Sequence, residues 1–302
     1  MSGMPPIWCT AVPDWESRLL AGQSLLPAMP LNTDMADKAE RIFKRLRIPD
    51  IAGQPTFGEA GGEWFFDIVR ALFGAWDPAS DIRHIQELFL LVPKKNAKTT
   101  NAAGLMVTAM IVNTIPNVEM VIIAPTKEIA GLSFAQARGM IRADAELIKK
   151  FHISEHQRQI THLQSRATLK IKAADTDAIT GSKAYITLID EVHVFATHPR
   201  AADVFLELRG ALAARSGGLL VMISTQSKRP PAGVFKAELK RARAVRDGKL
   251  SARLLSVIYE LPKSMQEPAR NGDKPAWRNP DTFRLVNPNL GRSARIDFLV
   301  QR

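Results

Sequence analysis

The chain of 302 residues is long enough for one large α/β domain with extensions or for two small domains, and it has no apolar run near the roughly 18 residues that a membrane span requires. Its 41 Lys and Arg residues exceed its 30 Asp and Glu residues, and the formal charge of +11 predicts a polyanionic partner, nucleic acid ahead of an anionic membrane. The single cysteine, Cys9, excludes an internal disulfide and a cysteine-based zinc site, and we expect a soluble protein of the reducing cytoplasm.

The N-terminal section predicts little regular structure. Residues 1 to about 35 are rich in proline and have few periodic segments, which indicates an irregular extension. Apolar residues at helical spacing then predict helices at residues 34–46 and 63–73, separated by a Gly- and Pro-rich break at 52–58.

The middle of the chain alternates strand-like and helix-like segments, which is typical of a parallel sheet with crossover helices. The predicted strands are residues 87–92, 120–124, 168–173, 185–190, 219–224 and 253–259. The predicted helices are residues 99–112, 127–150, 201–214 and 234–246. The proline-rich residues after 260 predict a linker.

A cationic loop follows the first of these strands. In the P-loop pattern G-x-x-x-x-G-K-[ST], backbone N–H groups cradle phosphates, the lysine reaches the β- and γ-phosphates, and the hydroxyl ligates Mg²⁺. Lys98 and Thr99 occupy the last two positions, whereas Val92 and Ala97 stand at the glycine positions. The loop alone is therefore consistent either with a phosphate site or with a cationic turn after a buried strand.

Two adjacent carboxylates, Asp190 and Glu191, follow a second buried strand about ninety residues later. Ligands of open α/β sheets bind at the carboxyl ends of the strands, so these acids are expected to face Lys98. We predict that Asp190 holds Mg²⁺ and that Glu191 orients or deprotonates the attacking water. A third buried strand ends at residues 224–226, where Thr225 or Gln226 is a candidate sensor of the γ-phosphate; a polar turn is the alternative.

These segments, in this order, resemble the ATPase domain of phage large terminase subunits, the motors that package viral DNA. The loop at residues 93–99 resembles the family's Pro-Arg-Lys-Asn-Gly-Lys-Thr form, residues 175–181 its approach to the acidic strand, 224–226 its coupling motif, and 287–291 the end of its ATPase part. The resemblance implies a P-loop NTPase of the additional-strand, catalytic-glutamate class, with a mostly parallel central sheet flanked by helices. It divides the chain into an N-terminal extension (1–58), an ATPase domain (59–260) and a linker (261–302).

The resemblance also implies cofactors, partners and a location. ATP and Mg²⁺ are the expected cofactors, and the expected partners are double-stranded DNA, a portal protein, a small terminase subunit and further copies of the chain. A ring of five subunits would form at the procapsid portal in the host cytoplasm, and the isolated chain could be a monomer. The expected nucleotide-binding residues are Trp64, Pro93, Lys95, Asn96, Ala97, Lys98, Thr99, Thr100 and Thr225.

Four features depart from the family pattern. Lys94 stands at the position of an arginine that acts on the phosphates in cis, and Ala97 adds a methyl group where backbone approaches phosphate. Phe65 follows Trp64 where the adenine-reading motif has Trp-Gln. Because no acids after residue 260 end a buried strand, we expect no nuclease activity from this chain.

Two basic segments are candidates for further roles. Arg138 and Arg142 lie four residues apart on one predicted helix face, and the family places a trans-acting arginine in this region; we favour Arg138, with Arg142 or a solvated face as alternatives. Lys236, Lys240 and Arg243 share another helix face that could follow a DNA backbone or simply be solvated.

Other functions remain open on the sequence alone. The Asp-Glu-x-His form of residues 190–193 also fits a helicase-like, DNA-dependent ATPase. A degenerate P-loop that binds DNA or a portal without turnover is the other alternative, and Ala97 is the main argument for it.

Overall fold

The computed structural model describes residues 8–173, 184–198, 200–227, 229–266 and 275–300. No helix within these ranges is long and apolar enough to cross a membrane. The helices are α1 (Trp15–Leu20), α2 (Thr33–Arg45), α3 (Phe57–Ala60), α4 (Glu63–Gly74), α5 (Lys98–Val112), α6 (Lys127–Arg142), α7 (Ala145–Lys150), α8 (Ala201–Ala213), α9 (Gly233–Arg246), α10 (Lys263–Gln266), α11 (Pro280–Val286) and α12 (Ile296–Val300). Two 3₁₀ helices lie at Val192–Thr197 and Ala276–Arg278.

The strands form an eight-stranded sheet and a small two-stranded one. The strands are β1 (Trp76–Asp77), β2 (Ile82–Arg83), β3 (Glu87–Leu91), β4 (Glu119–Ala124), β5 (Phe151–Ser154), β6 (Gln159–His162), β7 (Thr168–Ala173), β8 (Ile186–Ile189), β9 (Leu219–Ser224) and β10 (Leu254–Ile258). The large sheet has the order β10-β3-β9-β8-β4-β7-β6-β5. All its pairings from β10 to β7 are parallel, and β6 and β5 add antiparallel strands at one edge.

The sheet is buried on both faces. Alternate residues of β3 point to opposite sides: Leu88 and Leu90 join the core with α4, α5 and α6, whereas Phe89 and Leu91 join the core with α8 and α9. Because both sides of each central strand are covered, β3, β8, β9 and β10 are buried along their whole length and mostly apolar, without the alternation of a half-exposed strand. This pattern made the central strands predictable.

The strand order confirms the predicted fold class. β9 lies between β3, which leads into the cationic loop, and β8, which leads into the acidic pair. The parallel direction of these strands places their carboxyl ends at one edge of the sheet. The fold therefore brings three sequence segments into one site.

The structure differs from the sequence prediction at one long helix and at the sheet edge. The predicted helix at 127–150 is two helices, α6 and α7, because the side chain of Asp144 caps α7 by accepting from the N–H groups of Glu146 and Leu147. The hairpin of β5 and β6, the short helix α1 and the helices after residue 260 had no clear periodic signal, since each is only four to seven residues long.

A buried carboxylate anchors the start of β3. Glu87 is 7% exposed and accepts hydrogen bonds from Arg209 of α8 and from Arg241 of α9. Burial would raise the pKa of Glu87, but the hydrogen bonds from Arg241 and the charge of Arg209 outweigh it and hold the pKa below its usual value. Two helices are thus fastened to the strand that carries the loop.

Candidate functional site

The loop between β3 and α5 has the backbone form of a phosphate site. Ala97 is the N-cap of α5 in the left-handed conformation, with φ of 54° and ψ of 26°, and Lys95 also has a positive φ of 72°. These turns bring the chain to the N-terminus of a fifteen-residue helix, whose first N–H groups favour an anion. A left-handed backbone is unfavourable for a residue with a Cβ atom, so the methyl group of Ala97 costs energy in this conformation.

Asn96 holds the loop rather than facing outward. Its side chain is fully buried, and its Nδ2 donates to the carbonyl of Pro93 at 3.0 Å and to Asn287 Oδ1 at 2.8 Å. Its Oδ1 accepts from the backbone N–H of Asn289 at 3.0 Å. With its side chain used in these bonds, Asn96 shapes the site by joining the loop to residues 287–289, and only its backbone remains for a nucleotide.

Asp190 meets the loop across β9. Its Oδ2 accepts from Thr99 Oγ1 of α5 at 3.1 Å and from Ser133 Oγ of α6 at 3.1 Å. Burial raises the pKa of Asp190, the charge of Lys98 opposes this shift, and Glu191 adds to it. The Oδ1 atom is buried without a hydrogen-bond partner among the described residues. A carboxylate with one free oxygen beside a threonine hydroxyl is a donor set that fits Mg²⁺ or its bound water.

Glu191 pairs with the lysine of the loop. Lys98 Nζ lies 2.5 Å from Glu191 Oε1, and His193 Nδ1 lies 3.2 Å from Glu191 Oε2. Burial would raise the pKa of Glu191, but the close contact with the His193 ring and the charge of Lys98 outweigh it and hold the pKa below its usual value. The residue itself has a left-handed backbone, with φ of 57°. A deprotonated carboxylate is thus held at the end of β8.

The end of β9 contacts the same region. Ser224 is fully buried, and its Oγ accepts the backbone N–H of His193 at 3.0 Å and lies 3.3 Å from His193 Nδ1. Thr225 is 2% exposed and follows directly, whereas Gln226 is exposed. Of the two candidate sensors, Thr225 lies in the buried position and Gln226 in the solvated one.

Trp64 and Phe65 face different surroundings. Phe65 is 1% exposed and packs against Phe43 in the core, so it cannot reach a nucleotide. Trp64 donates from Nε1 to Asn289 Oδ1 at 3.2 Å, packs edge-on against Tyr259, and lines a cavity formed with α1 and α11. Phe65 therefore belongs to the core, and the ring of Trp64 contacts Tyr259 and Asn289.

A second cleft, of about 650 Å³, opens beside the first turn of α5. Ala97, Thr100 and Asn101 line one side of it, and Gly61 and Gly62 line another. Asn101 is 2% exposed, and its Nδ2 has no hydrogen-bond partner among the described residues.

Lys94 and Lys95 are exposed, and Lys95 also lines the cleft beside α5. Lys94 lines a groove with Trp277 and Phe283, and Lys95 Nζ lies 5.5 Å from the ring centre of Phe298. Both lysines therefore lie next to the C-terminal helices α11 and α12.

The two basic segments both lie on the surface, but their side chains differ in whether they form ion pairs within the chain. Arg138 and Arg142 both pair with Glu155, each at 2.5 Å. On α9, Lys236 and Lys240 are exposed. Arg243 instead forms an ion pair with Glu260, so its charge is partly neutralised within the chain.

Several residues of the site were not predicted. Ser133 and Asn289 supply contacts that depend on the packing of α6 and the C-terminal segment, and Asn101 lines the cleft beside α5. The contact of His193 with Glu191 is local, within the Asp-Glu-x-His form. Nothing in the Asn-Pro-Asn sequence at 287–289 indicates that it binds the loop. The segment at 175–181 lies outside the described residues.

The fold is that of a P-loop NTPase in which an additional strand, β9, lies between β3 and β8. At the ends of β3 and β8, Lys98 contacts Glu191 and Thr99 contacts Asp190. The family model for the terminase large subunit ATPase domain matches residues 63–241, more than half of the chain. The chain therefore belongs to the terminase large subunit family, as the sequence motifs predicted.

Solved structures are similar to this chain in fold. The crystal structure of the large terminase of bacteriophage HK97 has a TM-score of 0.68 and 19% identity, covering 88% of this chain and 50% of the HK97 chain. The large terminase of a thermophilic bacteriophage has a TM-score of 0.42 and 16% identity, covering 63% of this chain and 45% of its own. The chain thus spans half the length of the HK97 protein. A comparison with curated protein sequences finds no match.

We predict that Ala97→Gly tightens nucleotide binding with little change in stability. Removing the methyl group stabilises the folded loop by about 1–2 kcal/mol, because the left-handed strain is relieved. The greater conformational freedom of glycine stabilises the unfolded chain by about 0.5–1 kcal/mol and offsets part of this gain. Closer phosphate approach worth about 1 kcal/mol would lower the dissociation constant roughly fivefold. Titration with a fluorescent ATP analogue and chemical denaturation measure both quantities.

The matched control is Arg166→Gly, which removes a side chain at a similar positive φ of 57° in a turn between β6 and β7. Its stability should change similarly, while its nucleotide affinity stays at the wild-type value. Equal affinities of Ala97→Gly and the wild type would show that the loop accommodates phosphate with the methyl group in place.

Proposed function

We propose that this chain hydrolyses ATP to drive double-stranded DNA into a viral procapsid, as the motor ATPase of a large terminase. The observation that carries the proposal is the double contact across β9: Thr99 with Asp190, and Lys98 with Glu191. It joins the phosphate-loop residues to an acidic pair at the carboxyl edge of the sheet. Membership of the terminase ATPase family supports the same role.

The residues have separate tasks in this proposal. The backbone of residues 94–98 and the start of α5 bind the phosphates, and Lys98 leaves Glu191 to contact them. Thr99 and Asp190 hold Mg²⁺, which when bound neutralises phosphate charge and stabilises the transition state. Glu191 keeps its low pKa through His193 and orients or deprotonates the attacking water. Lys94 would turn from the groove with Trp277 and Phe283 toward the phosphates and supply a cationic charge in cis.

The cleft beside α5 is the proposed site of the base and ribose. It begins at Ala97 and Thr100, next to where the phosphates would bind, and its volume is suited to a nucleoside. Trp64 would then position Asn289, which lines the cleft, by donating from its Nε1, and would not stack on the base.

A structural route connects hydrolysis to DNA. The 3₁₀ helix that begins at Val192, directly after Glu191, packs against the start of α9: a Cβ atom at Gly233 would lie 2.5 Å from the carbonyl oxygen of Ala196. Lys236 and Lys240 of α9 face solvent and would contact DNA phosphates without reading sequence. Thr225, at the end of β9, would relay the phosphate state to this region.

The assembly in the proposal is a ring of copies of this chain at a portal, with a small terminase subunit as a further partner. Arg138, on the exposed side of α6, would leave Glu155 and act on the nucleotide of a neighbouring subunit. The alternative, a loop that binds without turnover, rests on the left-handed Ala97.

Replacing the proposed base tests turnover directly. Glu191→Gln should lower the ATP hydrolysis rate by about 10²–10⁴-fold, because the amide cannot accept the water proton, and nucleotide binding should be retained. Phosphate release is measured with linear double-stranded DNA present. The control is Glu146→Gln, an exposed residue at the start of α7 that should leave the rate unchanged. If the wild type and Glu191→Gln both hydrolyse ATP only at the background rate, the alternative of a loop that binds without turnover would be favoured.

The trans role is tested with mixed subunits. Arg138→Ala should abolish hydrolysis at concentrations where the chain assembles, yet leave nucleotide binding by monomers intact. Mixing it with Glu191→Gln should restore part of the activity, since the second variant supplies an arginine to the active site of the first. Arg142→Ala, which breaks the same pairing with Glu155, is the control. Loss of monomer binding in Arg138→Ala would refute the trans role.

The DNA contact is tested by salt dependence. The double change Lys236→Glu and Lys240→Glu should weaken DNA binding for all sequences and reduce the slope of log affinity against log salt by about 2, because each phosphate contact contributes about 0.9. Fluorescence anisotropy over a salt series measures the slope. The control is Lys38→Glu with Lys149→Glu, two exposed lysines on α2 and α7. A slope equal to that of the wild type would exclude this face as the DNA contact.

A further inference from the structure

A serine hydroxyl lies within the apolar face of α6. Ser133 is fully buried, and its neighbours on that face of the helix, Ala130, Ala137 and Met140, are apolar core residues. A hydroxyl in such surroundings costs stability unless it forms a hydrogen bond. The bond that Ser133 forms therefore indicates what the residue does.

The partner of Ser133 is the carboxylate proposed to hold Mg²⁺. Ser133 Oγ donates to Asp190 Oδ2 at 3.1 Å, the same oxygen that accepts from Thr99 Oγ1 at 3.1 Å. Both hydroxyls thus bind one oxygen of the carboxylate. The other oxygen, Oδ1, is buried and has no hydrogen-bond partner among the residues that the structure describes. The two donors fix which oxygen remains for another ligand.

We propose that Ser133 is a positioning residue for Mg²⁺, acting through Asp190. The inference rests on the proposed Mg²⁺-ATP function and assigns to α6 a part in that site. Thr99 must turn its oxygen toward the metal, whereas Ser133 has no such second task. Ser133 therefore keeps the carboxylate oriented when Thr99 changes partners, because outer hydrogen bonds fix the orientation of metal ligands.

The test separates metal positioning from general stability. Ser133→Ala should raise the Mg²⁺ concentration needed for half-maximal binding of a fluorescent ATP analogue by about 10- to 100-fold, the range found when outer hydrogen bonds to metal ligands are removed. Binding of the same analogue in EDTA should keep the wild-type affinity. Ser133→Thr retains the hydroxyl and should restore the Mg²⁺ midpoint. If the added methyl group prevents folding, Ser133→Cys, with its weaker donor, should give an intermediate midpoint.

The matched control is Thr108→Val on α5. Thr108 is also fully buried, but its Oγ1 has no hydrogen-bond partner among the described residues, so its replacement should leave the Mg²⁺ midpoint unchanged. A wild-type midpoint in a folded Ser133→Ala protein would overturn the inference, as would equal losses of binding with Mg²⁺ and in EDTA. A wild-type protein that binds the analogue without any Mg²⁺ dependence would instead overturn the proposed function.

Discussion

The carboxylate of Asp190 is the point on which the site depends. It follows β8, accepts from Thr99 at the start of α5, and accepts from Ser133 within α6, so one side chain joins three segments that are distant in sequence. Taking a carboxylate out of water is costly, and two hydroxyl donors only partly compensate when the other oxygen has no partner among the described residues. A bound cation would complete this arrangement, and this is the physical reason for our proposal that Asp190 holds Mg²⁺.

The loop is held from outside the sheet as well as from within. Asn96 binds residues 287 and 289, and Ser293 Oγ donates to the carbonyl of Lys95 at 2.6 Å. Movements of the C-terminal segment and of the phosphate loop are therefore coupled, because each buried amide would lose hydrogen bonds if the two separated. The same segment carries Asn289, which binds Trp64, so the N-terminal helices are part of the same network.

Lys95 and Ala97 before α5 and Glu191 after β8 all have a positive φ, in the left-handed region. For residues other than glycine this conformation costs energy, and surrounding contacts must maintain it. The ion pair between Lys98 and Glu191 provides one such contact in the arrangement seen here. Nucleotide phosphates would compete for Lys98, so binding would release Glu191 while His193 continues to hold it.

The central strands, the crossover helices and the acidic and cationic segments follow from the order of the residues alone, because buried parallel strands are mostly apolar and polar site residues follow their ends. The residues did not indicate the β5–β6 hairpin or the division of the helix at Asp144, since short elements and helix ends depend on packing. Ser133 and Asn289 reach the site only through tertiary packing. Their contacts join residues up to 225 positions apart, as in the bond between Trp64 and Asn289, and such contacts arise from the order in which strands and helices pack.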